Sequence, residues 1–189
     1  MKKREETYNR AQELLTKAGL DDETIKTMEY QLGYFTAPAS KGHHLAVPGG
    51  LVEHSVNVTE WLDGLTVDLG VKWPRAESQY LVGMLHDLVK CATYEIDAAA
   101  TESALETRYR YKPTLYGGHG AASAMIAMSE LGVRLYPAEV AAIRWHMGAF
   151  GLSGDELREY DRALDAFPLE IIATHTADML ASRYDERGC

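Results

Sequence analysis

Apolar residues recur at three- and four-residue intervals over most of the chain, the spacing that gives a helix one buried face. Residues 4–18 and 22–35 show it amid mixed charge, with the Gly19-Leu20-Asp21-Asp22 break between them. Asp21 or Asp22 is placed to cap the second helix, and acidic residues in its first turn complement the helix dipole. Residues 36–47 read as a loop that ends at Pro48-Gly49-Gly50. Leu51, Ser55, Val58, Leu62 and Leu65 then mark one face of a helix running through about Thr66. Pro74 opens the next, which carries Leu81, Val82, Leu85, Leu88 and Val89. Further helices are expected from Gly117-Gly118 through about Leu131, from Pro137 to about Met147, from a cap at Ser153 or Asp155, and from Pro168 to near Arg187.

Residues 91–116 break this pattern. From Thr107 to Pro113 the chain alternates by two, with Arg108, Arg110 and Lys112 on one side and Tyr109 and Tyr111 on the other, as a short strand would. The expected class is all-α: a helical bundle with one short extended or hairpin excursion near 105–116.

At 189 residues, 46% apolar and 25% charged, the chain is neither collagen-like, low-complexity nor disordered. Its length suits one core, so a single domain over 1–189 is expected, with N-terminal helices in 1–35 and the functional core at about 40–185. A net charge of −9 argues against a dedicated duplex nucleic-acid module, since phosphate backbones are held mainly by Lys and Arg; a local basic groove stays open. Two cysteines, one of them Cys189, cannot build a disulfide scaffold or a Cys-rich zinc site. With no run of 18 apolar residues and a charged, non-signal-like start, a soluble cytoplasmic protein without a membrane partner is expected.

The chemistry concentrates in His54, His86-Asp87, His119, His146 and Asp178, each in a separate predicted helix beside apolar positions. His54 lies between Leu51 and Val58, His86 between Val82 and Val89, and His146 follows Ala142 and Ile143. Neighbours three and four apart share a helix face, so these polar groups point inward. Each alone reads as a hydrogen-bonded core residue. As a set, four imidazoles and two carboxylates on inward faces answer one another's burial by holding metal, as facing helices of bundles do. Nitrogen and oxygen donors without thiolate suit Mn, Fe, Co, Ni, Mg or Zn.

The order His…His-Asp…His…His…Asp resembles the HD-domain superfamily of metal-dependent phosphohydrolases. Gly49-Gly50-Leu51-Val52-Glu53-His54-Ser55 is similar to that family's Gly-Gly-Leu-Leu-x-His-Thr helix start, and His86-Asp87-Leu88-Val89-Lys90 to its His-Asp-x-x-Lys core. Gly118-His119-Gly120 resembles its Gly-His-Gly/Glu element, and Ala177-Asp178-Met179-Leu180-Ala181-Ser182 its closing Ala-Asp-x-x-Ala/Ser. The resemblance covers about 40–185 and is nearest the bacterial branch whose HD domain also occurs in 3′→5′ exoribonucleases. Val89 stands where the common form has Gly.

The resemblance implies that His54, His86, Asp87 and Asp178 hold one divalent metal, and that Asp87 bridges to a second completed by His119 and His146. Such a pair activates a water and clamps the attacking and leaving oxygens of a phosphate ester. Asp87 and Lys90 are the expected catalytic residues. Lys90, one turn after the His-Asp pair, reads either as a phosphate contact or as a lysine at a helix end. Arg108 and Arg110, with Lys112, read either as an anion-binding row for substrate or as a solvated strand face. Tyr109, Tyr111 and Tyr116 could stack on a base, though packing that segment onto the helices is the simpler reading. His175 is expected behind a ligand rather than on the metal; Arg144 should project away; His43 and His44 should face solvent; Cys91 reads as a small buried hydrophobe.

The expected function is hydrolysis of a small-molecule phosphate ester, chiefly a nucleotide, by metal-activated water at a dinuclear site. The alternatives are a single-strand nuclease or phosphodiesterase, and a non-catalytic metal-bound ligand sensor.

Overall fold

A computed structural model describes residues 2–104 and 106–186. The amphipathic N-terminal segment forms α1 (Lys2–Lys17), which buries Ala11, Leu14 and Leu15. Asp21 caps α2 (Asp22–Lys26) by accepting from the Thr24 N–H at 2.8 Å, and the helix widens into a π-helical stretch, Thr27–Leu32. α3 (Gly50–Asp68) is central: Leu51, Val52, His54, Ser55, Val56, Val58, Thr59 and Leu62 are all buried, and α1, α4 and α10 pack around it.

α4 (Ser78–Leu85) starts four residues later than Pro74 suggests. Residues 74–77 form a bend and turn instead, with Arg75 and Ser78 converging on the fully buried Glu139 carboxylate, 2.7 Å from the Arg75 Nε and 2.7 Å from the Ser78 Oγ. Helical pairing stops at His86, and the chain passes through tight turns, Leu88 N–H to Leu85 O and Lys90 N–H to Asp87 O, into α5 (Lys90–Thr93). His86 and Asp87 therefore sit in a turn rather than inside a helix.

The extended excursion is a hairpin with an insert. β1 (Tyr94–Ile96) pairs antiparallel with β2 (Tyr109–Tyr111) in the register Tyr94↔Tyr111, Glu95↔Arg110, Ile96↔Tyr109, and α6 (Ala98–Ala104) fills the connection. The first strand lies earlier than the 105–116 excursion expected; position 105 is outside the described residues. Tyr109 is buried, but Tyr111 is exposed together with Arg110, so the tyrosines do not share one covered face.

Four helices complete the bundle: α7 (His119–Ser129), α8 (Pro137–Arg144), α9 (Gly154–Ala166) and α10 (Pro168–Leu180), the last continuing as a π-helical turn, Ala181–Asp185. α8 stops at Arg144, so His146 follows the helix instead of lying within it; the predicted end near Arg187 falls outside the described residues. Glu139 accepts from the Tyr136 N–H at 2.8 Å, capping α8 while anchoring it to Arg75. The architecture is an all-α bundle carrying one small two-stranded sheet. No helix among the described residues is long and apolar enough to cross a membrane.

Candidate metal centre

Two close helix approaches set the site. A Cβ at Gly83 would lie 2.4 Å from the Thr59 Oγ1 of α3, and one at Gly120 would lie 2.4 Å from the carbonyl oxygens of both Ile143 and Arg144. Only a residue without a side chain lets α4 reach α3, and α7 reach the end of α8, at these points. The first approach brings His86 to His54, and the second brings His119 to His146.

His86 and His146 are oriented by the same device. Each follows the end of its helix, where carbonyls lack a helical partner, and each Nδ1–H donates to the carbonyl three residues back: Gly83 O at 2.8 Å and Ile143 O at 2.7 Å. That fixes the tautomer and leaves Nε2 as a lone pair facing inward. His54 Nε2 lies 3.3 Å from His86 Nε2, 3.4 Å from Asp87 Oδ2 and 3.2 Å from Asp178 Oδ1. His86 Nε2 is 3.4 Å from the same Asp87 Oδ2. On the other side, Asp87 Oδ1 is 2.5 Å from His119 Nε2 and 3.5 Å from His146 Nε2. The structure thus brings all six expected ligands together, arranged about the two oxygens of one carboxylate.

The chemistry of this donor set fits metal. Donor atoms bonded to one divalent ion at about 2.1 Å stand about 3.0–3.4 Å apart at octahedral or tetrahedral angles, which is the mutual spacing of the His54, His86 and Asp87 atoms, with Asp178 at 3.2 Å from His54. Two imidazole nitrogens facing each other share at most one proton, whereas a cation between them satisfies both. His54, His86 and Asp87 form one group able to hold an ion, and Asp87, His119 and His146 form another.

The charges are strongly coupled. Burial favours neutral His54, but hydrogen bonds to Asp178, Asp87 and Glu186 outweigh it and hold the imidazole well above its ordinary range. Burial also opposes ionisation of Asp87, yet the positive charge of Lys90 and the hydrogen bond from His119 keep its carboxyl well below the usual range. Lys90 is buried too, and its Nζ rests 2.5 Å from Asp87 Oδ2, which raises its pKa. His146, desolvated and facing His86, is pushed down to about 3.

Asp87, Lys90, His119 and Asp178 open onto a cavity of about 860 Å³ that Tyr94 and Arg183 also line, while His54, His86 and His146 are buried and do not line it. Arg108 and Arg110 do not line it. Arg110 donates to Glu95 Oε1 at 2.7 Å across the hairpin, and Arg108 pairs with Glu106, both largely exposed. His175 donates through Nδ1 to the His146 backbone carbonyl at 2.7 Å, behind that ligand. Arg144 pairs with Glu159 and stacks 4.3 Å from the Trp145 ring, away from the site. Burial pushes the Cys91 thiol up to about 12, as for an inert packed residue.

Sequence reasoning missed two residues. His44 is not solvent-facing but partly buried, its Nε2 3.7 Å from Glu186 Oε2. Glu186 itself is 2% exposed and lies against His54. It is eight residues beyond Asp178, off that residue's face in a regular helix; the π-helical turn takes up one residue and returns it to the face. No family model, curated protein or solved structure matches this chain.

Proposed function

We propose that the chain is an HD-type metal-dependent phosphohydrolase that cleaves a phosphate ester of a small molecule, with nucleotides as the first class to test. One observation carries the reading: Asp87 turns one oxygen to His54 and His86 and the other to His119 and His146, the placement a carboxylate shared by two ions requires. Divalent metal bound there would supply an activated water and positive charge for the phosphoryl oxygens.

The chain's own groups have distinct tasks. His54, His86 and Asp178 would hold one ion, and His119 and His146 the other, with Asp87 common to both. Neutral imidazoles complete these sets without cancelling the charge that attracts a phosphate. Lys90 fixes the Asp87 carboxylate and reaches the cavity wall, so its ammonium can also meet a phosphate oxygen. A volume of about 860 Å³ suits a nucleotide-sized ligand, and Tyr94 and Arg183 border it.

Elemental analysis of the purified protein, paired with a phosphate-release screen, tests this. About two ions per chain are expected, and Asp87→Ala should lose most of the metal and all turnover while staying helical by circular dichroism. Unchanged metal content in Asp87→Ala would defeat the assignment. A mixed oligonucleotide beside the nucleotide panel separates hydrolysis of a small ester from strand trimming, whose rate would fall steeply with salt.

A further inference from the structure

The four histidines of the centre are not supported alike. The Nδ1 atoms of His86 and His146 donate to neutral carbonyls of their own turns. His54 instead places Nδ1 3.0 and 3.2 Å from the two oxygens of the Glu186 carboxylate. That carboxylate is carried 132 positions along the chain and is further fixed by the Asn57 Nδ2 amide at 3.0 Å. An imidazole whose outer N–H meets a carboxylate is the stronger electron donor at its inner nitrogen, and its ring is held in one orientation.

A buried carboxylate is costly unless it is paired. Glu186 spends its acceptor capacity on His54 and Asn57, with the His44 Nε2 at 3.7 Å the remaining neighbour among the described residues. His54 cannot serve as a ligand through both nitrogens while donating through one. Glu186 is therefore a support of His54 rather than a ligand of a further ion.

Resting on the proposed dinuclear function, we infer that Glu186 is a positioning residue that strengthens the half-site containing His54: this half-site, which also has the added carboxylate of Asp178, fills first and binds more tightly. The half-site of His119 and His146 lacks such a carboxylate, and His119 is partly exposed, with 35% of its side chain accessible.

Titration of the chelator-treated full chain with Mn²⁺ and, separately, Co²⁺ by calorimetry tests this without any turnover. Two binding events differing at least about tenfold in affinity are expected. Glu186→Ala should weaken the tighter one by about 10- to 100-fold and leave the weaker within about threefold. Glu186→Gln, which keeps an acceptor for the His54 N–H but not the charge, should recover part of that loss. Equal weakening of both events, or unchanged affinities in Glu186→Ala, would overturn the inference while leaving the metal centre standing. Absence of any binding by the unmutated chain would instead remove the proposed function beneath it. If Glu186→Ala unfolds, as circular dichroism would show, the comparison of Glu186→Gln with the unmutated chain decides, an unchanged tight event counting against the inference.

Discussion

Gly120→Ala adds a single methyl at the closest contact between α7 and α8, and its cost can be worked from the geometry. The new Cβ would lie 2.4 Å from two carbonyl oxygens, against the 3.4 Å at which ordinary contact begins, so the helices must part by about 1 Å. Both obstacles are backbone atoms and neither can rotate aside. Overpacking of this kind costs about 1–3 kcal/mol, and a rigid obstacle on each side argues for about 3. For a chain of this length that is a fall in Tm of about 6–12 °C. The same substitution at Gly64, an exposed position toward the C-terminal end of α3 with nothing within 4 Å, should raise stability by about 0.5–1 kcal/mol by removing a glycine from within a helix. Thermal denaturation of chelator-treated protein by far-ultraviolet circular dichroism reads both signs. The displacement should also separate His119 from His146, so the weaker metal-binding event should suffer more than the tighter one. If Gly120→Ala melts within about 2 °C of the unmutated chain, α7 and α8 do not meet as described and the placement of His119 loses its support.

Glu139→Ala removes the carboxylate shared by Arg75, Ser78 and the Tyr136 N–H; because Arg75 keeps about a quarter of its exposure, the loss should be about 2–3 kcal/mol in chemical denaturation, and a change under about 0.5 kcal/mol would refute the anchoring role. The metal-free protein should be most stable near pH 6.5. His54, raised above the ordinary 6.5, contributes stability that is complete below that value and lost as pH climbs through its folded pKa. His146, lowered to about 3, is held neutral at a cost that grows as pH falls from 6.5 toward 3, and the lowered Asp178 adds a further loss in stronger acid. Denaturation midpoints between pH 4 and 9 check the maximum, and a steady rise through pH 8 would contradict it. Metal loading should displace the His54 proton, so apparent affinity should climb with pH and calorimetric heats should depend on the ionisation heat of the buffer.

The helical class and the inward direction of the six candidate ligands were legible because apolar neighbours at three and four positions declare a buried face, whatever the helix ends do. The ends were less legible. Pro74 is a fair helix opener by its local chemistry, but Arg75 and Ser78 answer to Glu139, which lies more than sixty positions away. The helix endings before His86 and His146 depend on their own side chains taking up backbone carbonyls, a competition that periodicity does not register. β1 escaped notice although Tyr94, Glu95 and Ile96 alternate as the residues of β2 do. Glu186 was hidden by the π-helical turn, since a regular 3.6-residue count places it off the face that it occupies.

The pairing of His54 with Glu186 also bears on the order in which the molecule assembles. Contacts between residues 132 positions apart close a loop whose entropy must be met before the contact rewards it, whereas the turns that aim His86 and His146 span only three residues. During refolding the local turns should therefore mature before the carboxylate reaches His54. A half-folded chain would present scattered imidazoles without the arrangement proposed to hold an ion, and on that reading capture of metal would mark the last stage of folding rather than its trigger.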